Sequence, residues 1–339
     1  MENNELQVAT AQNYQLEFKG EGSAFFGILI VNWILTVLTL GFYYPWARAK
    51  QLQYTYSHTT LNNESFYFSG TGAEIFKGFI KLFIRYLLFI GVIFIFSYIF
   101  AYLDPDNNQD SSENSNVFAP IGISFLIFLL IIVFIPMIIH GSLRYRMSRT
   151  SYRGIRFGYR GAPRELMKQF VRDILLTIVT LGIYNAWFSM NLRSYTHRHI
   201  RYGNVEFSNE ARGGEYFILY LKGYLLTFLT LGIYSFWFQK DIFNYYIDKM
   251  ELKQGENRIK MHSTATGGAF FKLNITNFLL LIFTFGIASA WVEMRTLRFI
   301  FSHIQMTGNI DLSGVSQTET EYNDAFGEDA VDFFNIDMI

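Results

Sequence analysis

The sequence predicts a mainly α-helical, polytopic membrane protein built from repeated units. Each unit is expected to contain a membrane helix, a TLGxYxxW motif at which the helix leaves the hydrocarbon, an amphipathic segment and a small β-hairpin. Three observations support this fold class. Half of the 339 residues (51%) are apolar and only 17% are charged, long apolar stretches recur, and one octet is repeated four times.

Two apolar stretches, residues 79–102 and 119–139, are long enough to cross a bilayer core, which takes about 20 helical residues. Buried core helices of a soluble protein are the alternative. Further apolar stretches occupy residues 25–47, 170–188, 216–238 and 269–292. There is no signal-peptide pattern at the N-terminus, so we expect insertion through the internal helices, as in a bacterial inner (cytoplasmic) membrane.

The repeated octet closes four of these stretches, at residues 39–46, 180–187, 230–237 and 284–291. Its glycine breaks a helix or lets another backbone approach, and its aromatic residues favour the level of the lipid headgroups. Basic residues follow each copy. The interpretation is a structural exit-and-anchor device, with a ligand-binding or catalytic octet as the alternative. The glycines and tryptophans are Gly41 and Trp46, Gly182 and Trp187, Gly232 and Trp237, and Gly286 and Trp291.

Short alternating segments around turn residues follow the amphipathic segments and predict β-hairpins at 58–69, 150–161, 199–208, 252–261 and 303–313. Glycine-rich joints at 70–72, 213–214 and 267–268 open the next units. The predicted divisions are a polar acidic N-terminal segment (1–19), repeat unit 1 (20–69), a two-helix unit with an external acidic loop at 103–117 (70–161), repeat unit 2 (162–212), repeat unit 3 (213–265), repeat unit 4 (266–315) and a disordered acidic tail (316–339).

Charge distribution predicts sidedness. An arginine cluster at residues 144–164 is expected in the cytoplasm, and the acidic loop at 104–116 outside. If the first stretch crosses once, the N-terminus is outside. The later units either cross singly, which alternates the sides of their hairpins, or dip in and return. Similar basic flanks in every unit favour hairpins on one side.

Several polar residues are candidates for function. Asn32, Asp173 and Asn277 occupy the position 14 residues before an octet tryptophan, and Lys222 lies six residues into its stretch. Intramembrane polar groups are often functional, but interhelical hydrogen bonding is the simpler interpretation for the asparagines. Arg172 and Lys222 are expected to reach the interface.

Histidines recur 12 positions after three of the four tryptophans, as His58, His199 and His303, whereas the other copy has Lys249. Three imidazoles at equivalent positions could converge on a metal or relay protons. The lysine would spoil such a symmetric site, so hairpin capping or headgroup contact is favoured.

Other chemistry finds little support. With no cysteine, disulfides and thiol catalysis are excluded, and no catalytic, phosphate-binding or metal motif appears. We therefore expect no enzyme activity and no cofactor or metal. The expected partners are membrane lipids with anionic headgroups, and a second copy or another protein bound through the acidic tail. Nucleic acid is not expected, because the basic residues adjoin membrane stretches.

The segments "LTLGFYYPWARAK" (38–50) and "RYRMSRTSYRGIRFGYRG" (144–161) resemble the YjgN family of bacterial inner-membrane proteins, whose function is unknown. The resemblance extends over residues 17–315 and implies a multi-pass protein, without a substrate or site. The favoured hypothesis is transport or permeation of a small solute or ion through the repeated helices. A membrane scaffold is the alternative, and a lipid-modifying enzyme is a third possibility.

Overall fold

The computed structural model describes residues 12–103 and 118–319. The predicted acidic loop at 104–116 and the tail beyond Glu319 lie outside these residues, as do the first 11 residues. The helices are α1 (Gly22–Leu38), α2 (Tyr44–Ser57), α3 (Gly72–Leu103), α4 (Phe118–Arg149), α5 (Pro163–Val179), α6 (Asn185–Arg198), α7 (Gly213–Leu229), α8 (Ser235–Asp248), α9 (Gly267–Phe283) and α10 (Ser289–Ser302).

Twelve short strands accompany the helices in the described part of the chain. They are β1 (Gln12–Tyr14), β2 (Leu16–Phe18), β3 (Thr59–Leu61), β4 (Glu64–Ser65), β5 (Tyr67–Phe68), β6 (Thr150–Tyr152), β7 (Ile155–Tyr159), β8 (Ile200–Tyr202), β9 (Val205–Asn209), β10 (Met250–Gln254), β11 (Asn257–Ser263) and β12 (Ile304–Gly308).

The helices form five hairpins arranged in a ring. In the four units that carry the octet, a first helix of 17 residues is followed by a second helix of 14 residues that packs back along it. The fifth hairpin, α3 and α4, has two helices of 32 residues each. Each hairpin packs against the next one along the chain, and α10 packs against α1. The ring is therefore closed.

The strands close into a barrel at one end of this ring. Antiparallel pairing runs from β1 through β12, β11, β10, β9, β8, β7 and β6 to β5, and separately from β2 through β3 to β4. Only Gln15 separates β1 from β2, and only Phe66 separates β4 from β5. The two sheets are thus continuous at both junctions. If β1–β2 and β4–β5 are each taken as one strand, every strand of the described residues has a neighbour on each side.

The N-terminal strand corrects three predictions. Residues 12–18, expected to be a polar segment, pair with β12 on one side and with β3 on the other. The hairpin predicted at 303–313 does not form within its own unit, because the return strand comes from the other end of the sequence. The N-terminal strand also lies on the same side as the hairpins, so the single crossing that would have placed it outside is wrong.

All the β-hairpins lie at the same end of the helices, as the similar basic flanks suggested. The octets lie at the opposite end, where each first helix turns into its second. The chain therefore reverses direction at the octet, and the segment after it returns alongside the first helix. The amphipathic segment after each octet was expected to lie flat at the membrane interface. In the structure it packs against the first helix of its unit instead.

Side chains fill the barrel. A hydrophobic cluster there includes Tyr14, Tyr152, Tyr202, Ile259 and Met306, all at most 5% exposed. Ile310 and Val315, which follow the last strand, belong to the same cluster. The segment after β12 thus packs onto the barrel core and closes its outer mouth.

One described helix is long and apolar enough to cross a bilayer, at Gly72–Ile99, and its apolar window has no buried residue. The second predicted span, 119–139, lies within α4, and many of its side chains are outside the described set. Two shorter helices, α1 and α9, are also apolar. For the helical hairpins of the octet units, a membrane location is a prediction from the sequence.

Candidate functional site

The octet forms a tight connection between two helices, and its geometry explains its sequence. In the first unit the N–H of Gly41 donates to the carbonyl of Thr36 (2.7 Å), and the N–H of Leu40 donates to that of Val37 (3.0 Å). This pair of bonds is a Schellman motif, which satisfies the free carbonyls at the end of a helix. Equivalent bonds recur at Gly182, Gly232 and Gly286.

The octet threonine joins the two helices. The hydroxyl of Thr39 donates to the carbonyl of Leu35 (2.7 Å) and accepts from the N–H of Tyr43 (3.0 Å), at the start of the second helix. The same hydroxyl bridge forms at Thr180, Thr230 and Thr284. One side chain therefore caps the end of one helix and satisfies an N–H of the next.

The second octet residue is unusual in both conformation and exposure. Leu40, Leu181, Leu231 and Phe285 adopt φ values of 50–51°, a left-handed conformation in which bulky residues are uncommon. Their side chains are 91%, 94%, 95% and 96% exposed. Each of the four octet hairpins therefore ends in an apolar side chain that points away from the protein and is carried by a strained backbone.

The octet tryptophan packs against the next unit. A β-carbon on Gly72 would overlap the ring of Trp46, and one on Gly213 would overlap that of Trp187. Gly267 bears the same relation to Trp237, and Gly22 to Trp291. The last tryptophan thus meets the first glycine, so this joint is also the contact that closes the ring. Gly72, Gly213 and Gly267 lie in the joints that the sequence marked as openings of new units, whereas Gly22 was not marked.

The candidate polar residues lie where the two helices of a hairpin cross. Asn32 Nδ2 donates to the carbonyl of Ala47 (3.3 Å), and Asn277 Nδ2 donates to the hydroxyl of Thr296 (3.1 Å). Asp173 is fully buried and accepts from Asn191 Nδ2 at 3.0 Å. In the remaining octet unit this position is Gly223, against which the Phe238 ring packs. The position therefore sets the crossing of the two helices.

The basic candidates lie on the surface of their helices. Arg172 is mostly exposed and donates to Asp173 from Nε (2.8 Å). Lys222 is exposed on α7. The structure does not bring Lys222 together with Asn32, Asp173 or Asn277, since each of those three bonds within its own hairpin.

The repeated histidines end the second helices. The Nδ1–H of His58 donates to the carbonyl of Tyr54 (2.8 Å), and the ring stacks on that of Tyr54 at 4.0 Å. His199 and His303 make the same bond to Tyr195 (2.7 Å) and Phe299 (2.8 Å). Each histidine is thus a capping residue of its own helix. Within the described ranges, no group of three or more histidines and carboxylates is placed to hold a metal ion.

Sequence reasoning missed a tyrosine that fixes the base of three of the four octet hairpins. The hydroxyl of Tyr54 accepts from the N–H of Glu21 (2.9 Å) and donates to its carbonyl (3.0 Å), just before α1 begins. Tyr195 and Tyr245 hold Ala162 and Arg212 in the same way. Their constant position, eight residues after the octet tryptophan, was the available signal.

A second tyrosine network lies inside the barrel. The Tyr202 hydroxyl donates to the carbonyl of Tyr152 (3.0 Å), the Tyr152 hydroxyl to that of Leu61 (2.8 Å), and the Tyr14 hydroxyl to that of Ile310 (2.6 Å). Burial disfavours the phenolate, so it raises the pKa of Tyr202 to about 12 and also raises the pKa values of Tyr152 and Tyr14. These hydroxyls are therefore neutral donors that lock strands from different units together.

Comparison with known proteins identifies the family. The family model described as "Bacterial protein of unknown function (DUF898)" matches residues 13–214 and 237–333, most of the chain. The chain belongs to this family. Three of the four octets and all the β-hairpins fall within the DUF898 match, whereas the octet at 230–237 lies almost wholly in the unmatched segment 215–236.

The relatives of this DUF898 chain carry a membrane name. It is 28% identical over 200 residues to the "Inner membrane protein YjgN" of Salmonella typhimurium strain LT2, covering 56% of this chain and 45% of that protein. Proteins of the same name from Escherichia coli O157:H7 and K12 are 31% and 29% identical over 55% of this chain and 39% of theirs. The chain thus spans less than half the length of these relatives. No solved structure matches it significantly.

Proposed function

We propose that this DUF898 protein is a multi-pass inner-membrane platform, in which a ring of membrane-embedded helical hairpins holds a closed barrel at the cytoplasmic face. The observation that carries the proposal is the filled barrel. Buried aromatic and aliphatic side chains occupy its interior, and Ile310 and Val315 cover its mouth. A solute following the ring axis would meet this core, whereas a rigid closed barrel suits a role in holding other molecules at the membrane.

The placement in the membrane rests on exposed apolar surface. Exposed large apolar side chains run along the first helices, as at Ile30 and Val37 on α1 and at Ile218 and Phe228 on α7. Together with the exposed second residue of each octet, these side chains form a larger apolar surface than a water-soluble protein exposes. The arginine cluster at 144–164 lies at the barrel end, and positive charge favours the cytoplasmic side.

The lack of cysteine makes this topology directly testable. Single cysteines at the hairpin turns, Asn63→Cys, Asn204→Cys and Glu256→Cys, should all react with an impermeant thiol reagent from the cytoplasmic side. A cysteine at the tip position Leu231 should resist the reagent from that side. Labelling of the turns from opposite sides would contradict the proposed arrangement.

The platform role has a test of its own. Residues 316–319 lie against the barrel, with Gln317 accepting from the N–H of Arg156 (2.7 Å) and Glu319 accepting from Arg160 Nε (2.8 Å). We propose that the acidic residues beyond them recruit a protein partner or a second copy. Deleting residues 320–339 should abolish the crosslinks to a partner that the full chain forms in cells. A variant whose tail has the same residues in scrambled order shows whether the charge of the tail is sufficient for these crosslinks. Unchanged crosslinks after deletion would remove the role of the tail.

Permeation of a small solute or ion is the second candidate. One observation favours it: second helices of neighbouring units approach each other across the first helix between them. Arg193 on α6 lies over Tyr246 on α8 (4.0 Å), and Arg48 on α2 interacts electrostatically with Glu293 on α10. Charged side chains on the second helices therefore reach residues of the neighbouring units. Flux in proteoliposomes that rises on removal of residues 310–319 would favour permeation, and absence of flux in both forms would favour the platform.

A further inference from the structure

Departures from the repeat pattern cluster at one place. Six residues after the octet tryptophan, three units have the apolar residues Leu52, Phe243 and Leu297, whereas the unit of α5 and α6 has Arg193. The other three units show that the fold requires only an apolar residue at this position. The arginine therefore has a role other than maintaining the fold.

Two neighbours of Arg193 depart from the repeat as well. The fourth residue of the first helix is Phe25, Leu166 or Phe270 in three octet units and Tyr216 in the remaining one. Nine residues after the octet tryptophan, Tyr246 stands where the other units have Thr55, Thr196 and Ile300. The Arg193 guanidinium lies 4.0 Å from the centre of the Tyr246 ring, and the Tyr246 hydroxyl donates to that of Tyr216 (3.0 Å).

The arginine has no acidic partner. Over residues 12–103 and 118–319, no carboxylate pairs with Arg193, and its Nε is buried without a hydrogen-bond acceptor. The contact with the Tyr246 face is a cation–π interaction, which orients the guanidinium but accepts none of its hydrogen bonds. A largely buried cation with unused donors is the chemistry of an anion-binding site.

A groove begins at Tyr216, one of these two tyrosines. It has a volume of about 570 Å³, within the range of ligand pockets, and runs between α6 and α7. Tyr216 lines its inner end, and Tyr220, Tyr224 and Phe228 line it towards the hairpin tip. The rise of a helix makes the distance from Tyr216 to Phe228 about 18 Å. The polar end lies on the barrel side, and the apolar end lies among the exposed apolar side chains of α7.

We propose that this groove binds one anionic phospholipid, with its phosphate at Arg193 and the Tyr216–Tyr246 hydroxyls and one acyl chain along the groove. The orientation fits a lipid of the cytoplasmic leaflet, whose headgroup lies at the barrel side and whose chain points towards the tips. Arg193 supplies the selectivity for negative charge, and Tyr220, Tyr224 and Phe228 supply apolar contact. The other octet units have Leu52, Phe243 and Leu297 at the arginine position, so the site is specific to one place in the ring.

Native mass spectrometry of the full chain in detergent tests the proposal, with titration of phosphatidylglycerol, phosphatidylethanolamine and inorganic phosphate. The wild-type protein should bind phosphatidylglycerol about tenfold more tightly than phosphatidylethanolamine, because the ammonium group of the latter offsets its phosphate charge and is repelled by Arg193. Arg193→Leu, which restores the residue of the other units, should lose that preference. Arg198→Gln, a change of an exposed arginine on the same helix, should keep it.

Three results would overturn the site. They are equal wild-type affinity for the two lipids, an unchanged preference in Arg193→Leu, and displacement of bound lipid by inorganic phosphate at equal concentration, which would show a free-anion site without an acyl groove. Should Arg193→Leu fail to fold, Tyr216→Phe removes one hydroxyl while keeping the ring found at Phe25 and Phe270. That variant should bind phosphatidylglycerol a few-fold more weakly, and full retention of affinity would count against the proposal.

Discussion

The polar residue at the helix crossing shows how one side chain stabilises a hairpin. Asp173 is fully buried between α5 and α6, and its two oxygens accept from Asn191 Nδ2 and Arg172 Nε. A buried carboxylate is tolerated only with such partners. Since Arg172 is largely exposed, the bond to Asn191 carries most of the interaction.

We therefore expect Asp173→Ala to lower the free energy of unfolding by about 2–3 kcal/mol, because it leaves the Asn191 amide buried without an acceptor. Asp173→Asn should cost less. Thermal unfolding in detergent measures both, and a double-mutant cycle with Asn191→Ala isolates the pair. Loss of a transport activity at unchanged stability would instead show that Asp173 lines a solute path.

The barrel tyrosines make stability depend on pH in alkaline solution. Burial raises the pKa of Tyr202 to about 12 from its usual value of 10.0, so this hydroxyl loses its proton at a lower pH in the unfolded chain than in the folded protein. The contribution of Tyr202 is complete below pH 10 and is lost as the pH rises towards 12, by up to about 3 kcal/mol.

Alkaline unfolding, followed by tyrosinate absorbance and circular dichroism, should begin above pH 10. Tyr202→Phe should start from lower stability, because it loses the bond to the Tyr152 carbonyl, but should decline less steeply with pH. Parallel curves for the two proteins would contradict the assignment of the effect to Tyr202.

At the level of elements, the joint between units depends on a tryptophan and a glycine. Gly213 begins α7 with its α-carbon against the Trp187 ring, and a β-carbon there would overlap the ring and backbone of Trp187. The adjacent Gly214 has no heavy atom within 4 Å of the corresponding point. Two neighbouring glycines at a helix start thus differ completely in what surrounds them.

Gly213→Ala should destabilise the protein by about 1–3 kcal/mol through overpacking, whereas Gly214→Ala should be neutral or slightly stabilising. The melting temperatures of the two purified variants provide the comparison. Equal effects would mean that helix propensity, and not the tryptophan contact, explains the glycine pair.

The sequence predicted these elements better than it predicted their directions. The octets, the hairpin turns and the glycine joints were all recognisable, because threonine, glycine and asparagine have strong local preferences. In the later units a return of the chain was favoured from the basic flanks, but in the first unit the reversal at Leu40 and Gly41 was missed, since an apolar residue in a left-handed conformation leaves no mark in composition. The contact of Trp291 with Gly22 was also beyond local patterns, because it exists only once the ring has closed.

On the scale of the whole molecule, the barrel depends on a strand that no nearby sequence identifies. Residues 12–18 alternate like a strand, yet their partners are β12 and β3. Because no turn and no second strand lies next to them in the sequence, they were interpreted as a polar N-terminal segment. The Arg193 cluster was overlooked for the opposite reason, because its residues looked ordinary until the repeats were aligned in space.

Removing residues 1–18 should leave β12 and β3 with open edges, and such edges pair between molecules. We expect this truncation to give higher oligomers or aggregates in size-exclusion chromatography in detergent. Removing residues 1–11 is the matched control and should preserve the wild-type profile, since it keeps all the barrel pairing of the described residues, which starts at Gln12. A monodisperse product from the longer deletion would show that the N-terminal strand is dispensable.

The same strand has a consequence during biosynthesis. Tyr14 and the carbonyl that it binds are 296 residues apart, so the earliest part of the barrel to leave the ribosome waits for the latest. At ordinary translation speeds that delay is roughly 15–60 s. During this delay the nascent chain carries an incomplete barrel with two unpaired strand edges. An insertase or chaperone that shields these edges would determine whether the barrel closes within one chain or pairs with a neighbouring chain.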